Sequence, residues 1–125
     1  MIENIRHNAE LVRSVAREQL EVEVNFDREG VVWLNGFITR QYYGGESLNI
    51  EGLTDTLGSF LGECIAHTYR CQWAEDEYGW HLQFDANNVV YPFSKTGKHL
   101  RNGPEDSVLS FFDSIAVLFD QFRRE

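Results

Sequence analysis

Glu63, His67 and Cys71 follow one another at intervals of four residues, the spacing that places side chains on one face of a helix. Carboxylate, imidazole and thiolate groups are zinc ligands, so the spacing raises the question of a metal site. The chain has no CxxC pair and no HExxH motif, and we expect Cys71 to lie beyond the helix end. The pattern therefore favours a Glu63–His67 pair on a helix surface, and no metal or other cofactor is predicted.

The two cysteines give no indication of a catalytic nucleophile. Cys64 falls on the apolar side of the predicted helix, where a buried thiol is usually inert. The chain also lacks a GxSxG motif and a glycine-rich phosphate loop. Cys64 and Cys71 show no disulfide framework, so reduced thiols in a cytoplasm are expected. The sequence leans against an enzyme.

A locally basic segment, residues 93–103, precedes the predicted start of the last helix. Its polar side chains and those that follow are Lys95, Lys98, Arg101, Asn102, Asp106 and Ser107. Such groups beside a helix N-terminus could bind an anion. The alternative is structural: the lysines neutralise Glu63 or nearby acidic residues, and the other side chains cap the helix. Because caps and surface ion pairs are common, the structural alternative is favoured.

Acidic residues are concentrated in a region that reads as β-hairpins, with no lysine or arginine between Arg70 and Lys95. They are Glu75, Asp76, Glu77 and Asp85. The whole chain carries a formal charge of −9. Such a chain should repel nucleic acid and anionic membranes, and it suits a basic protein partner.

The length and composition predict one globular domain over residues 1–125. A chain of this size with 42% hydrophobic residues can bury an ordinary core. Charged residues interrupt residues 1–20, so no signal peptide is expected, and no apolar run is long enough for a membrane span. A cytoplasmic location follows as the expectation.

The N-terminal third predicts two helices. Residues 2–22 place apolar side chains at spacings of three and four, and Asp27 is suited to cap a second helix. Residues 31–42 have a rival interpretation, because Asn35–Gly36 is a strong two-residue hairpin turn between apolar runs. The apolar spacing favours the helix. Residues 43–47 predict a turn-rich loop.

A central buried helix is predicted over Leu53–Arg70. Asn49 is suited as its N-cap, with Leu48 and Leu53 as a hydrophobic staple around the cap. Gly58 and Gly62 lie one turn apart, and glycine in a helix costs about 1 kcal/mol relative to alanine. We therefore expect another backbone to approach this edge closely.

After Arg70 the pattern alternates and predicts an antiparallel meander with one face on the helices. Its strands are Gln72–Asp76, Trp80–Asp85 and Val89–Phe93. Pro92 is expected to end the sheet or mark an edge strand. Gly103 and Pro104 are predicted to open the last helix, with Arg123 and Arg124 complementing its C-terminus. The fold class is α+β.

Three segments resemble a widespread group of small bacterial proteins classified as a domain of unknown function. They are LGSFLGECI at 57–65 leading to Trp73, a Pro-Phe-x-Lys segment, and an Asn-Gly-x-x-Asp-Ser segment before the last helix. The matching positions are Gly58, Gly62, Glu63, Trp73, Pro92, Phe93, Lys95, Lys98, Asn102, Gly103, Asp106 and Ser107. The resemblance covers roughly half the chain by sequence motif. It implies a mixed helix and sheet fold, a helix over 28–42 and a bacterial source, and it implies no activity.

Two functions are predicted. The first is non-enzymatic binding of a basic protein through the acidic hairpins, as in a bacterial immunity or regulatory protein. The second is a small-molecule or anion-binding domain, conceivably an enzyme, centred on Glu63, Trp73, Lys95 and Lys98. A buried Glu63–Lys95 ion pair would explain the same residues structurally.

Overall fold

The computed structural model describes residues 2–44 and 49–125, which form five α-helices and one three-stranded sheet. The predicted α+β fold is confirmed. In chain order the elements are α1 Ile2–Gln19, α2 Arg28–Tyr43, α3 Ile50–Thr68, β1 Gln72–Asp76, β2 Gly79–Asp85, β3 Asn88–Val90, α4 Pro92–Asn102 and α5 Val108–Leu118. Across the ranges described, no helix has the length and apolar character needed to cross a membrane.

Helix α3 lies at the centre of the molecule and packs against α1 and α4. Every residue from Leu57 to Ile65 is buried, including the polar Ser59 and Glu63. A helix buried on all sides must be covered by other elements around its circumference. The N-terminal helices, the sheet and α4 supply this cover, so α3 positions the side chains described below.

The helices α1 and α2 follow their apolar spacing. In α1 the buried residues recur at intervals of three and four, and the helix ends at Gln19 rather than at residue 22. Asp27 caps α2, since its Oδ1 accepts a hydrogen bond of 2.9 Å from the Gly30 backbone N–H. The helical interpretation of residues 31–42 is confirmed and the hairpin is wrong, because Val31, Leu34 and Ile38 form one buried face.

Asn49 caps α3 as predicted, with its Oδ1 accepting 3.1 Å from the Gly52 backbone N–H. The proposed staple residue Leu48 and most of the predicted 43–47 loop lie outside the described residues. The helix ends at Thr68, two residues before the predicted end. Tyr69 is extended, with φ −124° and ψ 156°, and it forms an isolated antiparallel bridge with Arg123.

The sheet is the predicted antiparallel meander in the order β1-β2-β3. Trp73 faces Leu82 across the first pair of strands, and Leu82 faces Val90 across the second. The last strand ends at Val90, so the predicted extent to Phe93 is wrong. Strands β1 and β3 are the two edges.

Helix α4 is a correction to the sequence interpretation, which left residues 93–103 as a basic segment without secondary structure. Pro92 opens this helix instead of ending a strand, and its fixed φ suits the first helical turn. The buried positions include Thr96, Gly97 and His99 together with the apolar Leu100. This buried face is made largely of polar and small residues, so few strongly apolar side chains mark it in the sequence.

The start of the last helix is also corrected. Residues Gly103–Asp106 form a short 3-10 turn, and α5 begins at Val108 with Ser107 as its N-cap. Gly103 has φ +81°, and a Cβ there would lie 2.6 Å from the Tyr42 ring, so glycine is required on both counts.

The predicted role of the two C-terminal arginines is wrong, because α5 ends at Leu118. Arg124 instead donates 3.0 Å from Nε to the Ala66 carbonyl near the C-terminus of α3. Arg123 lies over the Tyr69 ring at 5.4 Å.

Side chains accept hydrogen bonds from the first backbone N–H groups of α5. His99 Nδ1 accepts from the Val108 N–H at 3.3 Å. Asn35 Oδ1 accepts from the Leu109 N–H, and Ser107 Oγ from the Ser110 N–H, both at 3.2 Å. Since Nδ1 of the fully buried His99 accepts, Nε2 carries the proton and donates 3.1 Å to Thr39 Oγ1. Burial lowers the pKa of His99, with Lys95 as a second cause and Asp106 opposing it. His99 is therefore a neutral link between α2, α4 and α5.

Candidate functional site

Gly58 and Gly62 accommodate close neighbours from α4 and β1. The expected close approach of another backbone occurs at Gly58, where a Cβ would lie 3.2 Å from Phe93 Cα, whereas at Gly62 the nearest neighbours are side chains. A Cβ on Gly62 would overlap the Trp73 indole, and it would also lie 3.3 Å from Pro92 Cγ. A Cβ on Gly58 would lie 2.5 Å from Cδ1 of Phe93, and the Trp73 and Phe93 rings are themselves 5.8 Å apart. The two glycines thus let β1 and α4 press their aromatic rings directly onto α3.

Glu63 is buried beside Trp73, with 7% of its surface exposed. Its Oε2 accepts a hydrogen bond of 2.9 Å from Trp73 Nε1. The other oxygen, Oε1, lies 3.8 Å from His67 Nε2, which is too long for a hydrogen bond. Within the described residues, Oε1 accepts no hydrogen bond from protein. The predicted surface pair is thus a buried carboxylate with one free oxygen beside a half-exposed histidine.

A cavity of about 840 Å³ opens over this carboxylate. Its walls come from the first half of α1, the C-terminal half of α3, the start of β1 and the C-terminal segment. The lining residues are Ile2, Arg6, Glu10, Phe26, Glu63, Ala66, His67, Cys71, Gln72, Trp73 and Arg124. This volume is within the range that small-molecule sites occupy in proteins.

The cavity carries separated charges of both signs. Glu63 is the buried anion, and Arg6 and Arg124 are exposed cations on α1 and the C-terminal segment. Glu10 is already bonded to Arg13, whose Nη1 lies 3.1 Å from its Oε2. Over the ranges that the structure describes, neither Arg6 nor Arg124 forms an ion pair with a carboxylate.

The cysteine thiols are unsuited to nucleophilic attack. Cys71 borders the cavity, and burial raises its pKa to about 12. Burial likewise raises the pKa of Cys64 well above its ordinary value. Thiols of this acidity stay protonated near neutral pH, and the thiolate is the reactive form.

The lysine segment is separate from the cavity. Lys95 does not pair with Glu63; its Nζ lies 3.3 Å from Asp106 Oδ1, while Asn102 Nδ2 donates 2.7 Å to Asp106 Oδ2. These two hydrogen bonds, from Asn102 first and then Lys95, lower the pKa of Asp106. Lys98 is exposed. The first three N–H groups of α5 are also bonded to side chains. These contacts therefore indicate a structural role, in which they connect α4 to the start of α5.

Three of the four acidic residues lie at the turn between β1 and β2, whereas Asp85 ends β2. Glu75, Asp76 and Glu77 are exposed there, beside an exposed Tyr78. Asp76 is partly engaged, because its oxygens accept from the Tyr78 backbone N–H at 2.8 Å and the Tyr91 hydroxyl at 3.1 Å. The other two carboxylates accept no hydrogen bond from described residues and face solvent.

Of the site residues predicted from sequence, Glu63 and Trp73 share the cavity, whereas Lys95, Lys98, Asn102 and Asp106 lie together elsewhere. Sequence reasoning missed Arg6 and Arg124, because they come from opposite ends of the chain and belong to no motif. The residues described contain no group of three or more His, Cys, Asp or Glu side chains placed to hold a metal ion. Comparison of the chain with protein-family models, with curated proteins and with solved structures gives no match.

Proposed function

We propose that this protein is a binding domain for a small organic ligand whose amine or guanidinium group contacts Glu63. The observation that carries the proposal is the free Oε1 of a buried carboxylate in a cavity of about 840 Å³. A carboxylate removed from water is costly unless its oxygens accept hydrogen bonds or face a cation. Trp73 satisfies one oxygen, and the other, Oε1, which is accessible from the cavity, would accept a hydrogen bond from a ligand nitrogen.

Aromatic walls support a cationic ligand in the same place. Trp73 and Phe26 both line the cavity, and the Phe26 ring lies 5.0 Å from the ring of His67. Cations bind favourably to aromatic faces, most strongly to tryptophan. A ligand nitrogen on Glu63 would therefore contact a carboxylate in a cavity with aromatic walls.

A structural role for Glu63 makes a different prediction from a ligand-binding role. If Glu63 only anchors Trp73, glutamine should serve equally well at this position, because the glutamine carbonyl oxygen can also accept a hydrogen bond from the indole N–H. Glu63→Gln keeps that hydrogen bond and removes the charge. The variant thus separates the anchor from the ligand contact.

We expect agmatine, which carries a guanidinium and an amine, to bind the protein and to bind Glu63→Gln about tenfold more weakly, since bonds to a charged acceptor are the strong ones. Isothermal titration calorimetry measures both affinities. Glu51→Gln is the matched control, because Glu51 is an exposed residue of the same helix and its loss changes the net charge equally. Equal binding of agmatine by the parent protein and by Glu63→Gln would contradict the proposal.

A second candidate function rests on the outer edge of β1. No strand in the described ranges pairs with this edge, and Glu75, Asp76 and Glu77 lie at its end, exposed to solvent. Open strand edges accept extended segments of other proteins through backbone hydrogen bonds. The local carboxylates, within a chain of charge −9, favour a basic partner.

Reversing these three charges to lysine should abolish capture of a basic partner from native lysate at low salt, because the association depends on charge complementarity. The measurement is a pulldown followed by mass spectrometry, with Glu3, Glu18 and Glu21 reversed together as the charge-matched control. Partners retained equally by both triple variants would exclude the hairpin as their binding surface.

A further inference from the structure

Two arginines border the cavity in which Glu63 lies, and the proposed cationic contact does not explain them. Arg6 is exposed on α1, and Arg124 extends from the C-terminal segment. A guanidinium beside a cation-binding carboxylate repels a ligand that carries positive charge alone. The same guanidinium attracts a ligand that also carries an anionic group.

We infer that the ligand is amphoteric, with a cationic nitrogen for Glu63 and a carboxylate or phosphate for Arg6 and Arg124. This inference rests on the proposed function. Arginine is suited to either anion, because its planar guanidinium donates two parallel hydrogen bonds to carboxylate or phosphate oxygens. An amphoteric ligand would supply an anion to the two arginines, which have no ion-pair partner among the described residues, and a hydrogen-bond donor to Oε1 of Glu63.

Arg124 is held in place for this role. Its Nε donates 3.0 Å to the Ala66 carbonyl, and its backbone N–H donates 2.9 Å to the Thr68 carbonyl. The Nε contact fixes the guanidinium at the C-terminal end of α3 and leaves both terminal nitrogens without a protein acceptor in the described ranges. Arg6 approaches from the facing helix, so the two cations border the cavity from separate elements.

Neutralisation of Glu63 by these arginines is the competing explanation. However, the ion pair recorded for Glu63 is with His67, at 3.8 Å, and neither arginine lies within 4.0 Å of its oxygens. Both arginines are exposed, whereas Glu63 is buried. Their charges are therefore available to a ligand in the cavity.

The test compares arginine with agmatine, which differ only by the carboxylate. The overall charge of −9 favours agmatine, the more cationic probe, so a preference for arginine would report on the local cations. We expect arginine to bind roughly fivefold more tightly in calorimetric titrations, as solvent-exposed ion pairs allow. Phosphoethanolamine and ethanolamine form a second matched pair, and the pair with the larger gain identifies carboxylate or phosphate as the preferred anion.

Arg6→Gln should reduce the preference for the anionic probe to about twofold, because one of two exposed ion pairs is lost. Arg17→Gln is the control, since Arg17 is an exposed arginine of the same helix that does not line the cavity. If agmatine and ethanolamine bind as tightly as their anionic counterparts, the inference is wrong while the Glu63 contact stands. If no probe binds, the proposed function falls as well. An equal loss of preference in Arg6→Gln and Arg17→Gln would also overturn the inference.

Discussion

Replacing Gly62 by alanine should destabilise the fold by about 3 kcal/mol, the upper range for an overpacked core. The added Cβ would overlap the indole of Trp73, which the hydrogen bond to Glu63 holds in place, and would also lie 3.3 Å from Pro92 Cγ. Relief would require Trp73 to move and its N–H to lose Glu63. Urea unfolding followed by circular dichroism measures the change.

Gly36→Ala is the matched control within α2. A Cβ there would meet only the terminal nitrogen of Arg40, at 3.1 Å, and that flexible group can move. Alanine is favoured over glycine inside a helix by about 1 kcal/mol, so this variant should be more stable than the parent protein. If Gly62→Ala is stabilised to the same extent, the packing of Trp73 on α3 is refuted.

His99→Leu should reduce the free energy of unfolding by about 2 to 3 kcal/mol at neutral pH. The leucine is similar in size but leaves the Val108 N–H without its acceptor and Thr39 without its partner. Each buried polar group left unsatisfied costs about 1 to 3 kcal/mol. His7→Gln, a change at an exposed histidine, should leave stability within experimental error.

The same residue should make stability depend on pH. Burial lowers the folded-state pKa of His99 below its ordinary value of 6.5, so the unfolded chain takes up the proton more readily. Its contribution is complete above pH 6.5 and declines as the pH falls towards the lowered folded-state pKa. The difference in the free energy of unfolding between the parent and His99→Leu proteins should therefore narrow as the pH falls below 6.5. A constant difference across this range would argue against a buried neutral imidazole.

Local patterns predicted most of the elements but not the connections between them. Val31, Leu34 and Ile38 identified α2 by spacing, and Asp27 and Asn49 were recognisable caps. Asn35, whose position before Gly36 suggested a turn, instead accepts hydrogen bonds from Ser107 and Leu109 across the molecule. Its partners lie more than seventy residues away, and no local pattern specifies contacts at that separation.

The cavity was predictable only in part for the same reason. Glu63 was singled out by its four-residue spacing from His67, and Trp73 by the resemblance of its segment to a known group of proteins. Arg6 and Arg124 reach the cavity through the packing of α1 and the return of the C-terminal segment past Thr68. Helix α4 was not predicted, and the alternative of a Glu63–Lys95 ion pair is wrong because Lys95 pairs with Asp106.

The open edge of β1 has a further consequence for the protein in concentrated solution. An unpaired strand edge is a template for edge-to-edge association of identical chains, which leads to aggregation. Two copies joined in parallel along β1 would bring the exposed carboxylates of Glu75 from both chains close together, and like charges across paired strands are destabilising. The acidic turn therefore opposes parallel self-association along this edge.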